Sequence, residues 1–118
     1  MEDLAPDVVR QRLLIEGYYT IEVARETIQT FFDEITSALV LRTYSTPIVF
    51  ASGGEGRADN QGYDAFVPLI DSGISLYVWT ARKFLAVVVF TCKAFDATRA
   101  VEVTRNFFRM SRLVHSRF

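Results

Sequence analysis

Apolar positions along this chain change period several times, and each change marks a new element. Residues 12–19 are a short apolar and aromatic run, too brief for a helix and suited to a buried first strand. From about Ile21 the pattern differs: Ala24, Ile28, Phe31, Ile35 and Leu39 recur at spacings of three and four, while Glu22, Arg25, Glu26, Gln29 and Asp33 occupy the other side. This predicts an amphipathic helix with Thr20 as its cap. Pro47 opens a second strand, Ile48 to Ala51, and residues 52–62 then break all periodicity with four glycines in eleven residues.

Tyr63 to Asp71 resumes as a strand. Pro68 within it cannot donate to a ladder, which predicts an edge position or a bulge with irregular pairing. Ile74 to Trp79 alternates, with Ile74, Leu76 and Val78 on one face and Ser75, Tyr77 and Trp79 on the other. After a tight turn at Ala81 to Lys83, Phe84 to Cys92 is the most hydrophobic stretch. It is strongly β-branched and reads as a central strand covered on both faces. Asp96 is placed to cap a second helix in which Ala97, Ala100, Val101, Thr104 and Phe108 share a face, and Arg112 to Phe118 forms a last short strand. This order predicts an α+β two-layer sandwich, a mainly antiparallel sheet with two helices on one face, in a single domain over residues 1–118.

Composition narrows the function. Half of the 118 residues are hydrophobic and 14% are aromatic, more apolar surface than one small domain readily covers, so a homodimer is expected. The net charge is −1 and the basic residues are scattered, which argues against a nucleic-acid partner. No stretch approaches the roughly 20 apolar residues of a membrane span, and the acidic start lacks the features of a secretory signal, so a cytoplasmic protein without a membrane partner is expected. With one cysteine, Cys92, and one histidine, His115, an internal disulfide is impossible and a structural metal is not expected. The glycine-rich loop lacks a following Gly-Lys-Ser/Thr, so it does not read as a phosphate cradle.

The chemistry is suggested by residues 71–79, which run Asp71, Ser72, Gly73, Ile74, Ser75, Leu76, Tyr77, Val78 and Trp79, followed by Phe90, Thr91 and Cys92, the cysteine thirteen residues after Trp79. This segment resembles the core signature of the prokaryotic S-adenosylmethionine decarboxylases: Glu-Ser-His-x-Ser-x-His-Thr-Trp, a Pro-Glu turn, then a strand ending in Phe-Thr-Cys. The two align without a gap, and weaker similarity extends over most of the chain. The resemblance implies that Ser72 matches the serine that attacks the preceding carbonyl. The chain then rearranges to an ester and is cut by elimination, which leaves a pyruvoyl group. Such a group is a ketone-like electron sink for a substrate amine, so no external cofactor is expected, and a pyruvoyl from Ser72 is expected only if the chain is self-processed. Cys92 matches the family's proton donor.

The departures fall at functional positions. Tyr77 stands where the family has the histidine that promotes elimination, and Gly73 where it has the histidine after the serine. Thr80 and Ala81 replace the Pro-Glu pair whose carboxylate binds the substrate ribose. Asp64 stands at a serine that assists processing, and Asp71 replaces the glutamate before the scissile bond. A phenol ordinarily titrates near pH 10 and is a poor base at neutral pH. The reading is therefore a diverged, lyase-like or biosynthetic enzyme, uncleaved, acting on a small-molecule substrate in the inherited pocket. Ser72, Tyr77, Cys92, Asp64 and Asp71 would be its catalytic residues, with Tyr18, Phe66 and Trp79 binding substrate. One alternative is a self-cleaving pyruvoyl decarboxylase of S-adenosylmethionine or a related amino acid. The other is a non-catalytic binding or partner subunit. His115 is expected on the surface and has no assigned role.

Overall fold

The computed structural model describes residues 1–118. The elements in chain order are β1 (Gln11–Tyr18), α1 (Arg25–Ala38), β2 (Ile48–Ser52), two single 3-10 turns (Gly54–Gly56 and Ala58–Asn60), β3 (Gly62–Leu69), β4 (Ser72–Trp79), β5 (Phe84–Thr91), α2 (Ala97–Phe108) and β6 (Arg112–Arg117). The strands form one sheet in the order β2-β3-β4-β5-β1-β6, and every neighbouring pair is antiparallel. Both helices lie on one face, as the α+β two-layer pattern requires.

The layers follow from strand alternation, which sends one set of side chains toward the helices and the other away. Leu13 and Ile15 of β1, Ala65 and Val67 of β3, Ile74, Leu76 and Val78 of β4, and Leu85, Val87 and Val89 of β5 are buried. They pack with Ile28, Phe31, Phe32 and Ile35 of α1 and with Ala100, Val101 and Phe108 of α2. Phe31 sits against both Phe107 and Phe108, at ring separations of 5.4 and 4.7 Å, which joins the two helices. The Asp96 side chain accepts the Arg99 N–H at 3.1 Å and caps α2, as its sequence predicts.

Three expectations are corrected. Thr20 does not cap α1, which begins at Arg25 with Ala24 in the cap position; there the Ala24 N–H donates to the Thr27 hydroxyl at 3.0 Å. Thr20 instead donates its hydroxyl to the Arg109 carbonyl at 2.6 Å, while Ile21 and Val23 pack on the core in an extended link that delays the helix. Pro68 lies in an interior strand, and β3–β4 pairing stays regular through Leu69 and Ser72. Proline is tolerated there because β2 ends its pairing at Phe66; beyond it the neighbour is residues 43–44, where the Tyr44 N–H donates to the Pro68 carbonyl.

The third correction concerns β5. It is an interior strand as expected, but only one of its faces is covered. On the other face Phe90 is 41% exposed, and Phe84 and Val88 are partly exposed. The same open face carries Ile48 and Phe50 of β2, Phe66 of β3, Tyr77 and Trp79 of β4, and Leu14 and Tyr18 of β1. The strand is hydrophobic on both sides because two faces are apolar, yet the chain supplies helices for only one.

Candidate functional site

Cross-strand register decides which of the candidate residues meet. On the open face, Phe50 is opposite Asp64, Asp64 is opposite Tyr77, and Tyr77 is opposite Ala86. In the next row Ile48 faces Phe66 and Phe66 faces Ser75. A shallow cavity of about 220 Å³ opens here, lined by Ile48, Phe50, Asp64, Ala65, Phe66, Ser75 and Tyr77. Its walls are apolar, and its polar groups are one carboxylate, one phenol and one hydroxyl. One row toward the other end of the strands, Trp79, Phe84 and Tyr18 are aligned. Their rings touch in sequence, with Tyr18 to Phe84 at 5.4 Å and Phe84 to Trp79 at 5.6 Å.

Ser72, Asp71 and Cys92 form a separate group at the opposite end of β4. Ile70 and Asp71 are the two turn residues between β3 and β4, and Ser72 pairs with both Leu69 and Thr91. Five residues of extended strand separate Ser72 from Tyr77, roughly 17 Å at about 3.3 Å per residue. Asp64 is opposite Tyr77 and shares that distance. The structure therefore brings Asp64, Tyr77 and Phe66 together, and Asp71, Ser72 and Cys92 together, but it does not join the two groups within one chain.

The second group is held tightly. The Asp71 carbonyl accepts the Cys92 N–H at 2.9 Å. The Asp71 carboxylate, in a residue only 4% exposed, accepts the Arg42 N–H at 3.2 Å and the Arg42 guanidinium at 3.1 Å. The Arg42 carbonyl in turn accepts the Ile70 N–H at 2.9 Å. The Arg42 guanidinium and then its backbone N–H hold the Asp71 carboxyl below its ordinary value of 3.8, and the same contact raises the Arg42 guanidinium. Because the folded value is lowered, the stability this carboxylate contributes is complete above its ordinary value and is lost as pH falls through the lowered one. Asp71→Asn is therefore expected to lose less stability than the wild type from about pH 5 downward, measured by denaturant unfolding at several pH values.

Ser72 itself has φ of 124°, a region that L side chains avoid. Non-glycine residues in such regions cost about 1–3 kcal/mol and persist only where neighbours over-determine them. Ser72→Gly is expected to raise stability by about 1 kcal/mol, since glycine relieves the strain but loses more chain entropy on folding. A thermal melt measures this. Cys92 lies just past β5 and is exposed, so it is not the buried small hydrophobe that strand cysteines usually are.

Gly73, next to the strained serine, is covered. A Cβ built on it would lie 2.5 Å from two ring atoms of Phe66, so the Phe66 ring occupies the space a side chain at position 73 would need. Sequence reasoning placed Phe66 in the site but did not pair it with Gly73. It also missed Arg42, an exposed arginine in the link after α1 with no periodic or motif signal to mark it. No group of three or more His, Cys, Asp or Glu side chains is arranged to hold a metal, and no helix is long and apolar enough to cross a membrane.

Six antiparallel strands under two helices, with a clamped polar turn at one end of the central hairpin, define a two-layer α+β protein. A family model described as S-adenosylmethionine decarboxylase matches residues 12–118, and the chain belongs to that family. The fold is similar to the crystal structure of the adenosylmethionine decarboxylase from Aquifex aeolicus, with a TM-score of 0.74 and 19% identity over 94% of this chain and 89% of that one. No curated protein matches the chain.

Proposed function

We propose that this chain is a diverged enzyme of the S-adenosylmethionine decarboxylase family that acts, with its backbone uncleaved, on a small molecule in the inherited site. The observation that carries this reading is the Phe66 ring over Gly73. Where the family signature has a histidine, this chain has no side chain, and an aromatic ring from the neighbouring strand fills the space. The cavity beside it offers Asp64 and Tyr77 as polar groups against aromatic walls, a combination suited to a small substrate with an apolar body. Intact mass tests the uncleaved state: a single 13.4 kDa chain is expected, and fragments 1–71 and 72–118 would overturn it.

A second reading, cleavage at Asp71–Ser72, is favoured by a different observation. The carbonyl that Ser72 would attack already accepts the Cys92 N–H, and Ser72 is strained. These residues fit the first half of pyruvoyl formation. The second half removes the Ser72 α-proton, and within the chain Tyr77 is too distant to take it. A pyruvoyl group, where formed, supplies the electron sink for decarboxylation. The chain's own residues contribute the Cys92 N–H that donates to the Asp71 carbonyl, the thiol of Cys92 and the Arg42–Asp71 pair that fixes the turn.

Both readings share a homodimer, packed through the open sheet faces. Two such faces meet about 10 Å apart in a sandwich, which covers Phe50, Phe66, Val88 and Phe90 and lets the Asp64–Tyr77 group of one copy approach the Ser72 group of the other. Val88→Lys, in the middle of that face, is expected to convert a dimer at micromolar concentration into a monomer in sedimentation. A wild type that sediments only as 13.4 kDa particles would remove the shared arrangement.

A further inference from the structure

The turn between β3 and β4 is held by more contacts than a two-residue hairpin turn needs. Arg42 touches it three times: its N–H and its guanidinium bind the two carboxylate oxygens of Asp71, and its carbonyl binds the Ile70 N–H. On the far side Cys92 donates its N–H to the Asp71 carbonyl at 2.9 Å. Between these supports lies the one torsion in the turn that is out of place, φ of Ser72 at 124°. That torsion turns the bond between the Ser72 nitrogen and its Cα, so it sets where the serine side chain lies relative to the carbonyl of Asp71. Without its supports a strand-initial serine would relax to negative φ.

The geometry points to Arg42 as a positioning residue for an acyl shift at the Asp71–Ser72 bond: through Asp71 it holds Ser72 in the conformation from which its hydroxyl attacks. This rests on the second reading above, and only on its first chemical half. The Ser72 oxygen bonds to the Asp71 carbonyl carbon, the bond from that carbon to the Ser72 nitrogen breaks, and the hydroxyl proton passes to the departing nitrogen. The products are an ester and a free amine within one chain. The Cys92 N–H faces the oxygen on which negative charge develops, the usual place for an oxyanion donor. No α-proton is removed, so the step needs neither of the histidines in the family signature.

Hydroxylamine intercepts such an ester. It attacks the ester carbonyl, leaves a hydroxamate on Asp71, and returns the Ser72 hydroxyl on a new N-terminus. The native full-length chain is incubated with hydroxylamine at neutral pH and scored by mass spectrometry. Wild type is expected to yield fragments 1–71 and 72–118, and Ser72→Ala to yield none. Arg42→Ala is expected to cut at least about ten-fold more slowly, since misplacing reacting atoms by a fraction of an ångström is costly. Arg42→Lys keeps the charge on a shorter side chain that has to reach the same carboxylate oxygen, and should fall between. Thermal melts of each variant separate slower chemistry from partial unfolding, and Arg42→Lys carries the test if Arg42→Ala does not fold. Both Arg42 variants keep the two backbone contacts, so their scission at the wild-type rate would overturn the positioning role of the Arg42 guanidinium alone. An uncut wild type would overturn the acyl-shift reading with it. Scission that persists in Ser72→Ala would identify a cyclic imide at Asp71 in place of the ester and would also overturn the proposal.

Discussion

Tyr77→His is expected to raise the rate of cleavage at Asp71–Ser72 by about 10²–10⁴-fold at neutral pH, the usual contribution of a positioned general base. Elimination from a serine ester needs a group that takes the α-proton. Imidazole ordinarily titrates near pH 6.5 and supplies a free base at neutral pH, whereas a phenol does not. The measurement is the appearance of fragments 1–71 and 72–118 by mass. The strand geometry adds a condition, because residue 77 stands roughly 17 Å along its own strand from Ser72. The new histidine must therefore act on a second copy. A chain carrying both Ser72→Ala and Tyr77→His, mixed with wild type, should cause the wild-type partner to be cut while remaining whole itself. If Tyr77→His leaves the chain intact between about pH 7 and 9, where imidazole is largely free base, the role assigned to position 77 is wrong.

Gly62→Ala is expected to destabilise the fold by about 3 kcal/mol, at the upper end of overpacking costs. A Cβ at position 62 would lie 1.6 Å from the Val78 carbonyl oxygen and 2.7 Å from its carbon. Both are backbone atoms of the paired strand, so no side-chain rotation relieves the contact. β3 must separate from β4 at this end, two residues from Asp64 and at the Gly62–Trp79 pairing itself. Denaturant unfolding measures the loss. Gly73→Ala provides the contrast. The atoms it meets belong to the end of the Phe66 ring, which is 40% exposed and able to turn outward, so a cost nearer 1 kcal/mol is expected. Phe66→Ala should remove that cost, and a double-mutant cycle reads the coupling between them.

The elements were legible in the sequence wherever one face of a strand or helix is apolar. Ile74, Leu76 and Val78 announce β4 by alternation, and Ile28, Phe31 and Ile35 announce α1 by helical spacing, because burial imposes those periods on the chain. The start of α1 was not legible. Thr20 is a good cap residue by type, but its hydroxyl is claimed by Arg109, 89 positions away, and no local pattern records that. Pro68 misled for a similar reason: proline at an edge is a sound rule, but here the neighbouring strand ends before the proline is reached.

The candidate site divides in the same way. Sequence by itself set a serine, a cysteine, a tyrosine and two aspartates at spacings that resemble a known signature, since residue type and spacing are written in the chain. Only the tertiary structure decided which of them meet. Asp64 and Tyr77 are joined by β3–β4 register, Ser72 and Cys92 by β4–β5 register, and the two groups are held apart by the stiffness of an extended strand. The same is true of the hydrophobicity of β5. The sequence shows two apolar faces, but the helices of the chain are too few to cover both. Strand alternation is a local property of the backbone, whereas covering a face requires a second layer that comes from elsewhere in the chain or from another copy.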